Sequence, residues 1–218
     1  MKLLALADLH GEIILLDKIL EKVSQSEYDA IVFVGDVTNF GGEKEANAIC
    51  DLLIKNKKKA FVLGGNCDTT EVFSAVETKG LSLHNKCEVY KDCAFIGYGK
   101  SNPTPFETPS EEPDDVIKAA IDDIYMENKE KIAGKKLVLV THAPPKGTKC
   151  DLLPIGHVGS QAVRHAIEVI QPAVNICGHI HEARAVDKIG NTLIVNPGPL
   201  TKKNYAIVNT STGEAELR

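Results

Sequence analysis

Residues 173–183 read AVNICGHIHEA: an apolar run, Ala173–Cys177, that breaks at Gly178 into two histidines, His179 and His181, one residue apart. The run has the length and composition of a buried strand, and it has four counterparts upstream: Leu3–Ala7, Ala30–Val34, Ala60–Leu63 and Leu137–Val140. Short, nearly continuous apolar stretches of this kind are expected of strands covered on both faces. Between them lie helical patterns. Apolar residues recur at 13, 16, 19, 20 and 23, and again at 46, 49, 50, 53 and 54. Gly159-Ser160 followed by QAVRHAIEVI predicts a capped helix that Pro172 closes. Strands alternating with helices predict parallel β-α-β units and an α/β fold.

Two regions depart from that rhythm. Residues 81–98 predict short strands or a hairpin, and residues 184–217 a run of antiparallel strands with Ser211-Thr212-Gly213 as a turn. A mixed sheet, or two packed sheets, fits such a chain better than a purely parallel one. The stretch KSNPTPFETPSEEP, residues 100–113, holds four prolines and predicts an extended loop over one end of the sheet, leading into a helix at 114–131. With 218 residues, no internal repeat and no linker, the chain reads as a single domain, 1–218.

Composition narrows the classes. Hydrophobic residues are 43% and charged residues 25%, a globular profile. A net charge of -5 gives no nucleic-acid footprint, although bound cations would still let an acidic chain take phosphate. The Lys55–Lys59 cluster ends a helix, where cations suit the dipole, and is not read as a nucleic-acid patch. The apolar part of MKLLALADLHGE is too short for a signal sequence, and no stretch approaches the ~20 residues of a membrane span. Six cysteines without a C-x-x-C pair read as reduced core thiols, so a cytoplasmic location is expected.

Function is written in what the strands run into. Leu3–Ala7 leads to Asp8 and His10, Ala30–Val34 to Asp36, Ala60–Leu63 to Asn66, Cys67 and Asp68, Leu137–Val140 to His142, and the last run to His179 and His181. In open α/β sheets ligands bind beyond the carboxyl ends of the strands, which would place these residues along one edge. Extended backbone in DLH and HIH would put each i, i+2 pair on one side. Taken singly, each residue has an ordinary use as a turn, a cap or a hydrogen-bonded histidine. Five consecutive strand ends carrying metal-binding residue types are the expected form of a metal centre.

In order, Asp8-Leu-His10, Gly35-Asp36, Gly65-Asn66-Cys67-Asp68, His142 and Gly178-His179-Ile-His181 resemble the motif series of the calcineurin-like metallophosphoesterases. NPTPFETP and GSQAVRHAIEVIQP are similar to the small prokaryotic Icc-related phosphoesterase branch. The resemblance implies a four-layer αββα sandwich of two mixed sheets flanked by helices. It implies one metal held by Asp8, His10, Asp36 and His181 and a second by Asp36, Asn66, His142 and His179, with Asp36 bridging. It further implies a dinuclear hydrolase of phosphodiesters, or of phosphomonoesters, using a metal-bridging hydroxide. Two divalent ions, two aspartates and a hydroxide leave a centre of about +1, which attracts a phosphate. Asp36, Asn66 and His142 would act in catalysis through the ions. N/O ligation suits Mn, Fe, Zn, Ni or Co without choosing among them.

The chain departs from the pattern at Cys67, where many members carry histidine. A thiol is a poor general acid, so either the leaving group is good or another residue supplies the proton, with His157 the leading candidate. Asp68 would orient a metal ligand or cap the next helix, Glu182 would support a histidine, and Asn196 would line the rim or make a turn. Lys100, Lys146 and Lys149 lie in loops that could face substrate. The expected partner is a small phosphate ester, with no membrane and no nucleic acid beyond short or single-stranded pieces; a homo-oligomer is compatible. The rival readings are a nuclease or nucleotide hydrolase, and a non-catalytic metal-binding scaffold of the same fold.

Overall fold

The computed structural model describes residues 1–218. In chain order the first half comprises β1 (Lys2–Leu6), α1 (Ile13–Val23), β2 (Ala30–Val34), α2 (Glu43–Lys55), β3 (Lys59–Leu63), α3 (Thr70–Thr78), β4 (Lys86–Tyr90) and β5 (Cys93–Tyr98). The second half comprises α4 (Asp114–Glu127), α5 (Lys129–Ile132), β6 (Lys136–Thr141), β7 (Leu152–Leu153), β8 (Gly156–His157), α6 (Gln161–Ile170), β9 (Val174–Ile176), β10 (Ala185–Ile189), β11 (Thr192–Asn196), β12 (Ala206–Asn209) and β13 (Glu214–Leu217).

Period two along the strands separates the layers. In the first sheet, ordered β13-β12-β1-β2-β3, Leu4, Leu6, Ile31, Phe33 and Val62 point to α1, α2 and α3. Their neighbours Leu3, Ala5, Ala30, Val32, Val34 and Phe61 point the other way, onto Phe95, Val138, Val140, Val174 and Ile176 of the second sheet. That sheet is ordered β10-β11-β9-β6-β5-β4, and its outer face (Ala94, Ile96, Leu137, Leu139) meets Ile117, Ile121, Ala166 and Ile167 of α4 and α6. The result is helices, sheet, sheet, helices. Strands buried on both faces explain the unbroken apolar runs of the sequence. Phe61 and Phe95 stack with ring centroids 4.3 Å apart and fix the two sheets against each other.

The helices at 13–23 and 43–55 fall where the periodicity places them. Ser160 Oγ accepts from Val163 N at 3.1 Å to start α6, and Gln171, left-handed at φ 50°, ends it before Pro172. Elsewhere the structure differs from the expectation. The helix expected over 114–131 ends at Asn128, whose side-chain amide donates to the Ile124 carbonyl at 2.8 Å; a separate turn of helix follows. Residues 184–217 are not one antiparallel run. β10 and β11 form a hairpin, but β11 pairs parallel with β9, and β12 and β13 cross to the other sheet to extend β1. The five strand ends therefore do not share one sheet edge. Asp8, Asp36 and Asn66 follow strands of the first sheet, whereas His142, His179 and His181 follow strands of the second.

Candidate metal centre

The site is built where the two sheets end side by side. Past the strands, the β1 and β2 chains stay paired: Leu9 N and His10 N both donate to the Asp36 carbonyl, at 2.9 and 3.0 Å, and Asp8 N donates to Gly35 O at 3.1 Å. This pairing is possible because Asp8, His10 and Asp36 are left-handed (φ 54°, 49° and 48°), as is His179 (φ 69°). The i, i+2 pairs thus converge through tight αL turns and not through extended backbone. Asp and His tolerate αL better than most residues, but each such turn still costs on the order of 1 kcal/mol. Four of them around one point are backbone strain concentrated at one site.

Two groups of donors result. Asp8, His10, Asp36 and His181 each offer a ligand atom within 4.8 Å of the others. His10 Nε2 lies 3.2 Å from His181 Nε2 and 3.7 Å from Asp36 Oδ2, and His181 Nε2 lies 3.7 Å from Asp8 Oδ1. On the other side of Asp36, its Oδ1 is 3.5 Å from His142 Nε2, which lies 2.9 Å from Asn66 Oδ1; the His142 and His179 ring centroids are 5.0 Å apart. Asp36 therefore offers one oxygen to each group.

The hydrogen bonds test whether cations fit here. His142 is fully buried, and its Nδ1, 2.9 Å from the Val34 carbonyl, must carry the ring proton. Asn66 Nδ2 donates to Thr108 Oγ1 at 2.9 Å, which turns the amide oxygen inward. The bare Nε2 of His142 and the oxygen of Asn66 then face each other, lone pair to lone pair. Donors bound to one ion at about 2.1 Å stand roughly 3 Å apart, so a metal accounts for this spacing. No lysine or arginine pairs with Asp8 or Asp36; the groups within ion-pair distance are imidazoles. The residues fit a bound divalent ion.

Charge states agree. Burial raises the Asp8 carboxyl, but contact with His181 and the nearby imidazoles outweigh it and hold it below its ordinary value. Burial lowers His10, and burial with the neighbouring His142 pushes His179 down to about 4, so both are neutral donors at pH 7. His181 is raised by its contact with Asp8.

Backbone and buried side chains hold the donors in place. His179 N donates to both Asp8 oxygens (3.1 and 3.2 Å), and Cys67 N to Asp36 Oδ1 (2.8 Å). Asp68 touches no ligand side chain and does not cap α3. Its Oδ1 accepts from Thr38 N and Thr38 Oγ1 (both 2.8 Å), and its Oδ2 from Val37 N (2.9 Å) and Gly65 N (2.8 Å). It ties the Asp36 loop to the Asn66 loop. A Cβ on Gly65 would lie 2.2 Å from Asp36 Oδ1 and one on Gly35 2.2 Å from His142 Nδ1, so the ligands close in only because these positions lack side chains.

The sequence matches the family model described as the calcineurin-like phosphoesterase superfamily domain over residues 1–213. The chain belongs to that superfamily. It is 34% identical over 227 residues to the uncharacterized protein MJ1162 of Methanocaldococcus jannaschii, across 98% of both chains. Among solved structures, TT1561 of Thermus thermophilus superposes with a TM-score of 0.82 at 16% identity, over 100% of this chain and 97% of that one. A dimetal phosphatase from Danio rerio superposes with a TM-score of 0.66 at 10% identity, over 95% and 91%. These likenesses establish the αββα fold of this phosphoesterase-family chain.

In this member of the superfamily the Cys67 thiol is raised by burial and by the Asp36 charge, so it keeps its proton. The 100–113 loop is ordered by Glu111, whose carboxylate accepts from Thr104 N (3.0 Å), Thr108 N (2.9 Å) and both threonine hydroxyls. Thr108 and Glu111, which position Asn66, carried no signal in the sequence beyond lying in a proline-rich loop. Asn196 is a turn residue, accepting from Gly198 N at 2.9 Å, and its amide reaches the Ile180 carbonyl at 3.0 Å. Glu182 is exposed without a hydrogen bond, and Lys100 is engaged by Glu112. Lys146 and Lys149 make no side-chain pair. His157 bonds Asp151 and none of the seven converging residues.

Proposed function

We propose that this superfamily member is a dinuclear metal-dependent phosphoesterase acting on small phosphodiesters, and on monoesters more weakly. The observation that supports this reading most is the meeting of six donor residues around Asp36, with the Asn66 oxygen and the bare His142 nitrogen 2.9 Å apart in a buried pair. When bound, the ions supply Lewis acidity and activate water for attack at phosphorus. The chain's own part is to present imidazoles, carboxylates and one amide oxygen at fixed spacing. Asp8 and Asp36 keep the pair of ions from carrying excessive charge, which favours release of an anionic product. Asn66, His142 and Asp36 would act in catalysis through the ions.

Retention of all seven donor residues sets this reading above a non-catalytic scaffold, which would be expected to lose ligands. No helix is long and apolar enough to cross a membrane. Six free thiols and no disulfide fit a reducing compartment, and we place the protein in the cytoplasm. The native metal among Mn, Fe, Zn, Ni and Co is decided by supply as much as by these donors.

The test is hydrolysis of bis-(p-nitrophenyl) phosphate by metal-stripped protein with each metal restored separately, alongside calorimetric titration of the ions. Two bound ions per chain and metal-dependent nitrophenol release are expected. A protein that binds two ions yet releases none from diesters or monoesters would refute the catalytic reading in favour of the scaffold.

A further inference from the structure

Seven histidines are present, and the structure accounts for six of them. Four meet at the candidate centre. His84 is wedged between Phe73 and Tyr98 and accepts from Gly99 N at 3.0 Å, and His165 is exposed on the outer helix α6. His157 has no such structural duty, yet it is held with more care than the others outside the site.

Its partner is Asp151, a carboxylate with no exposed surface. Asp151 Oδ1 accepts from Thr148 N (2.8 Å) and from His157 Nδ1 (2.8 Å); Oδ2 accepts from Gly147 N (3.1 Å) and Gly159 N (3.0 Å). Backbone donors alone would satisfy this carboxylate, so it is fixed in place with or without the imidazole. It therefore sets the ring: Nδ1 carries a proton toward Asp151, and Nε2 is directed away on a side chain 40% exposed. A buried carboxylate orienting a half-exposed imidazole is the arrangement that lets a histidine transfer a proton from its far nitrogen.

The position of the loop supports the same use. It starts directly after His142 and is closed by the Pro145–Ser160 bridge. Asn196 ties Cys150 O of this loop to Ile180 O, between His179 and His181. Next to His157, the Val158 carbonyl accepts from Asn102 of the 100–113 loop, whose Thr108 holds Asn66. The loop is thus joined to the segments on both sides of the metal-ligand cluster. Within that cluster Asp36 Oδ1, His142 Nε2 and Asn66 Oδ1 face one another, while His142 Nδ1 is engaged by the Val34 carbonyl and Asn66 Nδ2 by Thr108 Oγ1.

We propose that His157, oriented by Asp151, is the proton donor to the leaving oxygen of the ester. This assignment rests on the phosphoesterase reading above. As the bond from phosphorus to the leaving oxygen breaks, the oxygen takes the proton from Nε2 of the imidazolium. The alcohol departs neutral, and the imidazole, still bonded through Nδ1 to Asp151, regains a proton from water.

The experiment is a leaving-group series: methyl, phenyl and p-nitrophenyl esters of one phosphodiester, hydrolysed by the metal-loaded protein, His157→Gln and the control His165→Gln. H157Q should lose about 100-fold or more in kcat/KM on the methyl ester and stay within about twofold on p-nitrophenyl, whose leaving group needs no proton. H165Q should match the parent throughout. In the metal-free protein, imidazole nitrogen chemical shifts should show His157 as the Nδ1–H tautomer. An equal loss on every ester, no loss on any, or an Nε2–H tautomer would overturn the assignment while leaving the phosphoesterase reading intact. A parent protein inactive on all three esters would overturn both.

Discussion

Asp68→Asn replaces one oxygen by an NH2 group in a cage made only of donors. If the amide nitrogen takes the Oδ2 position it faces Val37 N and Gly65 N; at the Oδ1 position it faces Thr38 N. At least one fully buried N–H loses its acceptor either way, at a cost of about 1–3 kcal/mol. The remaining bonds lose the charge that strengthened them, roughly 1 kcal/mol apiece. One effect works in the opposite direction. Burial and the Asp36 charge push the Asp68 carboxyl up to about 6, and the neutral amide relieves that opposition. The net loss should be about 2–4 kcal/mol, which for a domain of this size lowers Tm by roughly 5–15 °C. Because Asp68 joins the loops that carry Asp36 and Asn66, manganese affinity should fall about 10- to 100-fold as well. Thr38→Val, which removes the hydroxyl bond to Asp68 at 2.8 Å and the acceptor of Gly41 N at 3.2 Å, should cost about 1–2 kcal/mol and little affinity. Thermal unfolding and calorimetric metal titration of the three proteins decide the matter. D68N with an unchanged Tm and unchanged manganese affinity would refute the claim that Asp68 holds the site together.

Three other outcomes are expected. His84 is pushed down from 6.5 to about 4, chiefly by burial and then by Lys100, so the unfolded chain binds a proton before the folded one does; stability present above pH 6.5 should decline toward pH 4 by at most about 3 kcal/mol. His84→Gln should flatten that part of the pH dependence of the urea midpoint, and an unchanged slope would count against it. Phe61→Ala, which empties the stack on Phe95 between the sheets, should cost about 3–5 kcal/mol while leaving the stoichiometry of metal binding unchanged at low temperature. Gly65→Ala should abolish binding of at least one ion and lower stability as well, because its Cβ would lie 2.2 Å from Asp36 Oδ1, 2.3 Å from Asp36 N and 2.7 Å from His142 Cε1; two ions bound to G65A would show that the loop has room to spare.

The amino-acid sequence was sufficient for whatever depends on local pattern and residue chemistry. Runs such as Ala30–Val34 are apolar on both faces because both faces are buried, and α1 and α2 are visible because one side of each is. The residue types of a metal centre stood at five strand ends, in the order the superfamily match covers. Pairing partners are a different matter. Nothing local tells β11 to join β9 in parallel, or sends β12 to the free side of β1, because those choices depend on which sheet edges remain open after the other strands have paired. The same reason hides the site's geometry: Asp36 meets His142 only because two sheets end together, and Asp8, His10 and His179 turn left-handed only because neighbouring loops hold them there. Asp151 and His157 are six residues apart in a loop that the sequence marks with glycines and prolines alone, and burial of the carboxylate is what gives the pair its chemical meaning.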